Sequence, residues 1–220
     1  PDHEVVKRGL DEVRRRKFHD TYSLGVALML LEAVYANPNE RQHLLDGLID
    51  KPQPRVPSDE DRAIMQEWVD TLLENRDDRP DPAYLCRWTY NGGPAFDNSN
   101  TQYALLGLWS AKLCGIEIPT QTWWAAANHW IDSQCKEEGK HPLRTVTHRA
   151  LANGAERPRT ASLVPAAGWS YRGGNEAAYG SMTTAGIAGL TICAAALRED
   201  GVRGGKLGDY LNAVRQGHAW

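Results

Sequence analysis

The sequence has 220 residues, of which 41% are hydrophobic and 24% are charged, the composition of an ordinary globular protein with one sizeable core. The formal net charge is −3 and the isoelectric point is near 6.2, which excludes a general electrostatic attraction to nucleic acid or anionic membranes. No signal peptide is visible and no apolar run reaches the ~18 residues of a membrane-spanning helix. We therefore expect no nucleic-acid partner and no transmembrane segment in this chain.

The four cysteines show no C-x-x-C spacing, and Cys114 and Cys193 lie in apolar helical patterns. They are predicted to be buried free thiols, which favours a reducing compartment such as the cytoplasm. The sequence does not otherwise indicate a location. Three histidines show no metal-ligand spacing and are expected on the surface or in loops: His129, His141 and His148.

Apolar spacing and capping signals predict a chain of helices. In order, they are an amphipathic helix at 3–16, an apolar helix from Asp20 or Thr21 to about Tyr35, a short helix near 39–50, an amphipathic helix after Ser58, an apolar helix at 97–113, an amphipathic helix from 119–120, an apolar helix at roughly 178–198, and a last one after Gly204 or Gly205. Residues 51–57 are a proline-rich connector, and 139–167 are expected to form an irregular insertion on one rim. No stretch alternates convincingly with period two. The sequence ends within a helical pattern and begins with proline, so we expect the chain to be part of a longer protein.

The three apolar helices share one sequence pattern. Residues 101–108 read Thr-Gln-Tyr-Ala-Leu-Leu-Gly-Leu, 183–190 read Thr-Thr-Ala-Gly-Ile-Ala-Gly-Leu, and 21–28 read Thr-Tyr-Ser-Leu-Gly-Val-Ala-Leu. The threonines that open these stretches are 80 and 82 residues apart. A helix that is apolar on nearly every face is typical of the interior of a helical assembly.

Two further markers recur at related spacings. Residues 87–93 (Arg-Trp-Thr-Tyr-Asn-Gly-Gly) return at 168–174 (Gly-Trp-Ser-Tyr-Arg-Gly-Gly), and 68–71 (Trp-Val-Asp-Thr) return at 130–133 (Trp-Ile-Asp-Ser). The sequence therefore predicts an internal repeat. Its units lie at roughly 1–57, 58–115 and 116–200, and 201–220 begin another. We expect one all-α domain over 1–220, built of hairpins with one outer and one inner helix each.

At these markers the chain resembles a known family. The Gly-Trp-Ser-Tyr turn at 168–171, after an outer helix bearing Gln134, is similar to a divergent form of the repeat in squalene cyclases and protein prenyltransferase β subunits. The stretch 97–108 resembles uncharacterised bacterial proteins that carry the prenyltransferase/squalene oxidase repeat. The resemblance covers roughly 18–220 and implies an α/α toroid, here as an incomplete ring or an arc. A fold of this kind does not fix the function.

The catalytic residues of the family do not carry over. Class II terpene cyclases hold their acid in D-x-D-D-T at the start of an inner helix. Aligned on Thr101, that motif places Asp97 on the first aspartate but Ser99 and Asn100 on the other two. Aligned on Thr21, it keeps only Asp20. The zinc-binding histidine of protein prenyltransferases falls on asparagine, aspartate or methionine, so we expect no metal and no cofactor.

Ten residues near the turns and the inner-helix starts are candidates for a ligand-binding rim: Asp20, Asp97, Asn98, Ser99, Asn100, Gln102, Trp88, Tyr90, Trp169 and Tyr171. The polar group at 97–100 is also explained as a helix cap that satisfies unpaired N–H groups. Asp20 beside His19 suggests an acid/base pair, although capping explains Asp20 as well. The four aromatic residues line an apolar cavity in one interpretation. In the other they are wedges between hairpins, with each indole N–H seeking an acceptor.

Two functions therefore stay open. The first is a non-catalytic toroid module that binds an apolar ligand, such as an isoprenoid, or a protein partner. The second is an isoprenoid-processing enzyme, a squalene or terpene cyclase or a prenyltransferase-like protein, with its catalytic residues outside this segment. The sequence leaves open whether the protein is an enzyme.

Overall fold

A computed structural model describes residues 3–77, 85–93, 95–143, 162–173 and 176–220. The helices in these residues are α1 (Glu4–Arg15), α2 (Thr21–Tyr35), α3 (Glu40–Leu45), α4 (Asp59–Glu74), α5 (Asn98–Leu113), α6 (Thr120–Asp132), α7 (Gly180–Glu199) and α8 (Gly205–Ala219). The strands are β1 (Arg76–Asp77), β2 (Arg87–Trp88), β3 (Gln134–Leu143) and β4 (Ser162–Trp169). The mainly helical character predicted from the sequence is confirmed.

The helices form two layers. The inner row consists of α2, α5 and α7, with α5 in contact with both of the others. The outer layer consists of α4, which packs on α2 and α5, and of α6 and α8, which both pack on α7. The buried core lies between these layers and contains most of the leucines and alanines of the inner row, together with tryptophans of the outer helices and the turns.

The first two inner helices meet through glycine. A Cβ added to Gly107 of α5 would lie 2.8 Å from the Cα of Gly25 on α2. No larger residue fits at this distance, so the backbones of the two helices touch directly. The glycine therefore sets the spacing of the inner row at this point.

The strands correct one prediction. Residues 139–167 were expected to be irregular, but β3 and β4 form an antiparallel hairpin that includes parts of this range, while 144–161 lie outside the described residues. The pairing rests on backbone hydrogen bonds and has a register shift between Lys136 and Lys140. Backbone hydrogen bonds form whatever the side chains are, and the register shift interrupts the alternation of the two faces. The two strands therefore show no regular period-two alternation of apolar and polar residues in the sequence.

The two strand pairs place their tryptophans alike. Arg76 of β1 lies opposite Trp88, and Gln134 of β3 lies opposite Trp169. Arg76 and Gln134 each stand two residues beyond the end of an outer helix. Each strand pair thus brings a tryptophan back to the helix that precedes it.

Two arginines fasten the first helices to the rest of the protein. Arg14 of α1 makes a bidentate pair with the buried Asp61 of α4, at 2.7 and 2.9 Å. Arg55 of the connector pairs with Glu32 of α2 and Glu40 of α3, both at 2.6 Å. Paired guanidinium groups of this kind hold buried carboxylates in their charged form.

All four cysteines are buried and none forms a disulfide bond, as predicted. Burial raises the pKa of the Cys114 thiol to about 12. This thiol therefore stays protonated and is a poor nucleophile.

In the described part of the chain, one helix, α7, has the length and mean hydropathy of a membrane-spanning segment. This differs from the expectation that no apolar run in the chain reaches that length. Of its most apolar window, 56% is buried inside the protein, which is typical of a core helix.

Candidate functional site

Trp88 and Trp169 make the same contact in two places. Each indole N–H donates at 2.7 Å to the carbonyl of the third-last residue of an outer helix, Leu72 in α4 and Trp130 in α6. The last four carbonyls of a helix lack a partner within the helix. Both rings are fully buried, so the described structure places them as wedges between the layers and not at a surface.

The same two tryptophans position the next inner helix. The backbone N–H of Trp88 donates to the hydroxyl of Thr101 and that of Trp169 to the hydroxyl of Thr183, both at 3.1 Å. These threonines are the residues that align the apolar helices in the sequence. Their recurrence therefore has a structural reason, because each one ties a turn to the helix that follows it.

The first turn also holds the start of α2. Thr21 donates its hydroxyl to the carbonyl of Thr89 at 2.6 Å and its N–H to the carbonyl of Tyr90 at 2.8 Å. One of the unpaired N–H groups at a helix start is thereby satisfied by backbone from the next unit.

The second turn holds the start of α5 in the matching way. Asn98 donates its amide nitrogen to the carbonyl of Ser170 at 2.9 Å and its N–H to the carbonyl of Tyr171 at 2.8 Å. Its amide oxygen lies 2.8 Å from Nε2 of His129, and because that oxygen only accepts, Nε2 carries the proton. Burial lowers the pKa of His129 to about 3, so the ring is neutral. The prediction that His129 lies on the surface or in a loop is wrong.

Asp97 caps α5 and is fully occupied in doing so. One carboxylate oxygen accepts from the N–H of Asn100 at 2.8 Å and from the hydroxyl of Ser99 at 2.9 Å, and the other accepts from the amide nitrogen of Asn100 at 2.7 Å. The amide oxygen of Asn100 is buried and has no partner among the described residues. Asp20 caps α2 by accepting from the N–H of Ser23 at 2.8 Å. The cap interpretation accounts for both aspartates.

Tyrosines from both turns and both neighbouring inner helices meet beside this cap. Tyr22 bonds to the hydroxyl of Ser99, and its ring lies 4.3 Å from that of Tyr103 and 5.7 Å from that of Tyr90. Burial, and secondarily the neighbouring Tyr90, raise the pKa of Tyr171 to about 12. Burial also raises the pKa of Tyr22. These phenols therefore remain protonated hydrogen-bond donors at neutral pH.

The inner row has one face that the rest of the described protein covers only in part. Counted from Thr21, Thr101 and Thr183, the residues at steps 1, 5, 8 and 12 share one side of a helix, because this spacing follows the helical period. None of them is buried and none is charged. We call these twelve residues the open face: Tyr22, Val26, Met29, Ala33, Gln102, Leu106, Trp109, Leu113, Thr184, Ala188, Thr191 and Ala195.

A pocket of about 280 Å³ adjoins the open face between α1 and α2. Most of its lining is apolar, and it shares Tyr22 and Val26 with the open face. Val26 is 49% exposed and Leu30, another lining residue, is 39% exposed. The volume is just below the lower end of the usual range for small-molecule sites.

The structure places the ten predicted site residues in four different settings. Those that lie in the core or in caps with almost no exposed surface are Trp88, Trp169, Asp97, Asn98, Ser99 and Asn100. Those that meet at the tyrosine cluster and keep some exposure are Tyr90 and Tyr171. Gln102 lies on the open face, and Asp20 is a half-buried cap.

Sequence reasoning missed Tyr22, Tyr103 and the burial of His129. The repeat alignment contained a signal for Tyr22, since it stands one step after Thr21, where Gln102 follows Thr101. For Tyr103 and His129 the sequence holds no comparable signal, because their partners are distant in the chain.

Among the described residues, no group of three or more histidine, cysteine, aspartate or glutamate side chains is arranged to hold a metal ion. Compared with protein-family models, curated proteins and solved structures, the chain shows no match to any of them.

Proposed function

We propose that this chain is a non-catalytic binding module that holds an uncharged, mostly apolar small molecule on the open face. One observation carries the proposal: none of the twelve residues of the open face is charged, and none is fully buried by the described residues, in a chain of which 24% is charged. Positions that keep exposed surface are normally rich in charge. A contiguous uncharged and largely apolar surface is a feature of binding sites.

The hydrogen bonds at the turns support the same conclusion. The polar groups of Asp97 and Asn98 are engaged in holding α5. A ligand that used these groups would first have to break the bonds that fix the inner row. The residues of the open face take no part in these hydrogen bonds of Asp97 and Asn98, so a ligand that binds there leaves the fold intact.

We also propose that the outer and inner helices are units of an α/α-toroid arc of the squalene cyclase and prenyltransferase type. The matching contacts of Trp88 and Trp169 support this, because each unit ties its turn to the preceding outer helix and to the following inner helix. The apolar ligand of the open face would then lie on the side facing the axis of the arc.

The test is native mass spectrometry of the protein after expression in an isoprenoid-rich host. The proposal predicts a co-purifying uncharged molecule that is lost in Leu106→Glu, because a carboxylate on the open face is costly to bury under an apolar ligand. The control is Leu48→Glu, at a residue that is 69% exposed and outside the open face, which should keep the bound mass.

A bound mass that persists in Leu106→Glu would contradict the proposal. The enzyme alternative predicts something different, namely that an isoprenoid added to the purified protein is released with a changed mass. Such turnover would overturn the non-catalytic part of the proposal.

A further inference from the structure

The geometry points to the class of ligand: an uncharged amphiphile with a hydroxyl head and an apolar body about 16 Å long, such as a long-chain alcohol. This inference rests on the proposed function and assigns the two ends of the ligand. The head lies beside Gln102 at the start of α5, and the body lies along the open face toward the other ends of the inner helices.

Polarity changes along the open face in layers. The layer nearest the helix starts contains Tyr22, Gln102 and Thr184, all of which carry a hydrogen-bonding group. The next layer is entirely apolar, and so is the last. These layers contain Val26, Leu106, Ala188, Ala33, Leu113 and Ala195.

Most hydrogen-bonding groups of the face are already engaged. The hydroxyls of Thr184 and Thr191 donate to carbonyls of their own helix at 2.9 and 2.7 Å, which leaves their methyl groups to meet a ligand. The hydroxyl of Tyr22 bonds to Ser99. The layer that contains Thr191 is thus less polar than its sequence suggests.

Gln102 is the exception. Its side-chain amide makes no hydrogen bond to any described residue and is partly exposed. Gln102 therefore offers, on the open face, both a hydrogen-bond donor and an acceptor that are not engaged by a described residue. A hydroxyl also donates and accepts, so it matches both atoms of the amide. Trp109 offers only a donor, two helical turns farther along.

The charge pattern disfavours an anionic head. No lysine, arginine or histidine occurs among the twelve residues of the open face, and at the polar end the Asp97 carboxylate lies beneath Ser99. A phosphate head would have no cation to pair with among these twelve residues and would lie at the end that holds the Asp97 carboxylate. An alcohol carries neither penalty.

The length follows from helix geometry. Steps 1 to 12 span eleven residues, or about 16 Å at a rise of 1.5 Å per residue. An extended apolar chain of that length would run from Gln102 past Leu106 and Trp109 to Leu113. It would cover about three turns of α5.

The experiment titrates three eight-carbon probes, octan-1-ol, octane and octyl phosphate, into the protein and follows tryptophan fluorescence. Wild-type protein and Gln102→Leu are compared for each probe, so that differences in water solubility cancel. We expect Gln102→Leu to lower the affinity for octan-1-ol by about threefold to tenfold, which corresponds to the loss of one hydrogen bond. Octane should bind the variant as tightly as the wild type, or more tightly, and octyl phosphate should bind the wild type more weakly than octan-1-ol.

Gln66→Leu is the matched control, since Gln66 is an exposed glutamine of the outer layer whose side chain bonds, among the described residues, to Asp70 alone; it should change none of the three affinities. An equal effect of Gln102→Leu on octanol and octane, or preferred binding of octyl phosphate, would overturn the inference. Failure of the proposed function looks different: no probe binds, or Leu106→Glu binds all three as the wild type does.

Discussion

Asn98 bonds to Ser170 across a gap of 72 residues, and this 2.9 Å contact joins the start of α5 to the turn of the next unit. The same asparagine accepts from His129 on the opposite side. Replacing it with alanine would leave a buried carbonyl and a buried imidazole N–H unpaired.

We predict that Asn98→Ala lowers the free energy of unfolding by about 2–4 kcal/mol, because each orphaned buried group costs ~1–3 kcal/mol. Urea denaturation followed by circular dichroism measures this. Asn39→Ala serves as the control, since Asn39 is exposed and makes no side-chain cap bond; its effect should stay within ~0.5 kcal/mol. A similar decrease in the free energy of unfolding for both variants would contradict a stabilising role of the buried hydrogen bonds of Asn98.

The indole N–H of Trp169 gives a second prediction. Trp169→Phe keeps an aromatic ring but deprives the carbonyl of Trp130 of its donor and leaves a small cavity. We expect a loss of about 2–4 kcal/mol in unfolding free energy. Trp109→Phe, on the open face, should lower the free energy of unfolding by less than ~1 kcal/mol. A larger loss for Trp109→Phe than for Trp169→Phe would contradict the assignment of Trp169 as a wedge between the layers.

The neutral His129 predicts a dependence of stability on pH. Its pKa falls from 6.5 to about 3 on folding, chiefly through burial and secondarily through Arg87. Below pH 6.5 the unfolded state takes up a proton that the folded state does not. The stabilisation is therefore full above pH 6.5 and is lost progressively as the pH falls toward 3, at up to ~1.4 kcal/mol per pH unit.

Denaturation between pH 6 and 5 isolates this effect, because the lowered pKa values of Asp61 and Glu40 affect stability only at lower pH. In His129→Gln the slope in this window should fall by most of that amount. An unchanged slope would show that His129 does not carry the dependence.

The glycine contact between α2 and α5 predicts opposite effects at two helical glycines. Gly107→Ala places a Cβ 2.8 Å from the backbone of Gly25, and we expect a loss of about 1–3 kcal/mol from overpacking. Gly9→Ala, in α1, meets nothing within 4 Å and should raise stability by about 0.4–1 kcal/mol. Thermal unfolding of both variants measures whether each change raises or lowers stability. A Gly107→Ala variant that is more stable than the wild type would contradict direct contact between the two backbones.

The parts of the fold that the sequence predicted depend on local signals. The caps at Asp20, Ser58 and Asp97 lie three residues before the N–H groups that they accept from. The tryptophan turns were visible as a recurring tripeptide. The need of each indole N–H for an acceptor was also predicted. It is met for Trp88 and Trp169 by carbonyls near the ends of outer helices, whereas the buried indole N–H groups of Trp123 and Trp130 have no partner among the described residues.

The parts that escaped prediction depend on distant contacts. The β3–β4 hairpin pairs Gln134 with Trp169 through backbone atoms that any side chain allows. The buried position of His129 depends on Asn98, 31 residues earlier in the chain. The open face becomes visible only when the three helices are aligned on their threonines and the burial of each position is known.

The most direct test of the open face is fluorine NMR of protein labelled with 5-fluorotryptophan. The chain has eight tryptophans; Trp109 lies on the open face, while Trp88 and Trp169 are fully buried. The Trp109 resonance is assigned by its disappearance in Trp109→Phe. Addition of octan-1-ol should shift this resonance and leave those of the two buried tryptophans in place. A Trp109 resonance that does not move at saturating octanol would contradict binding at the open face.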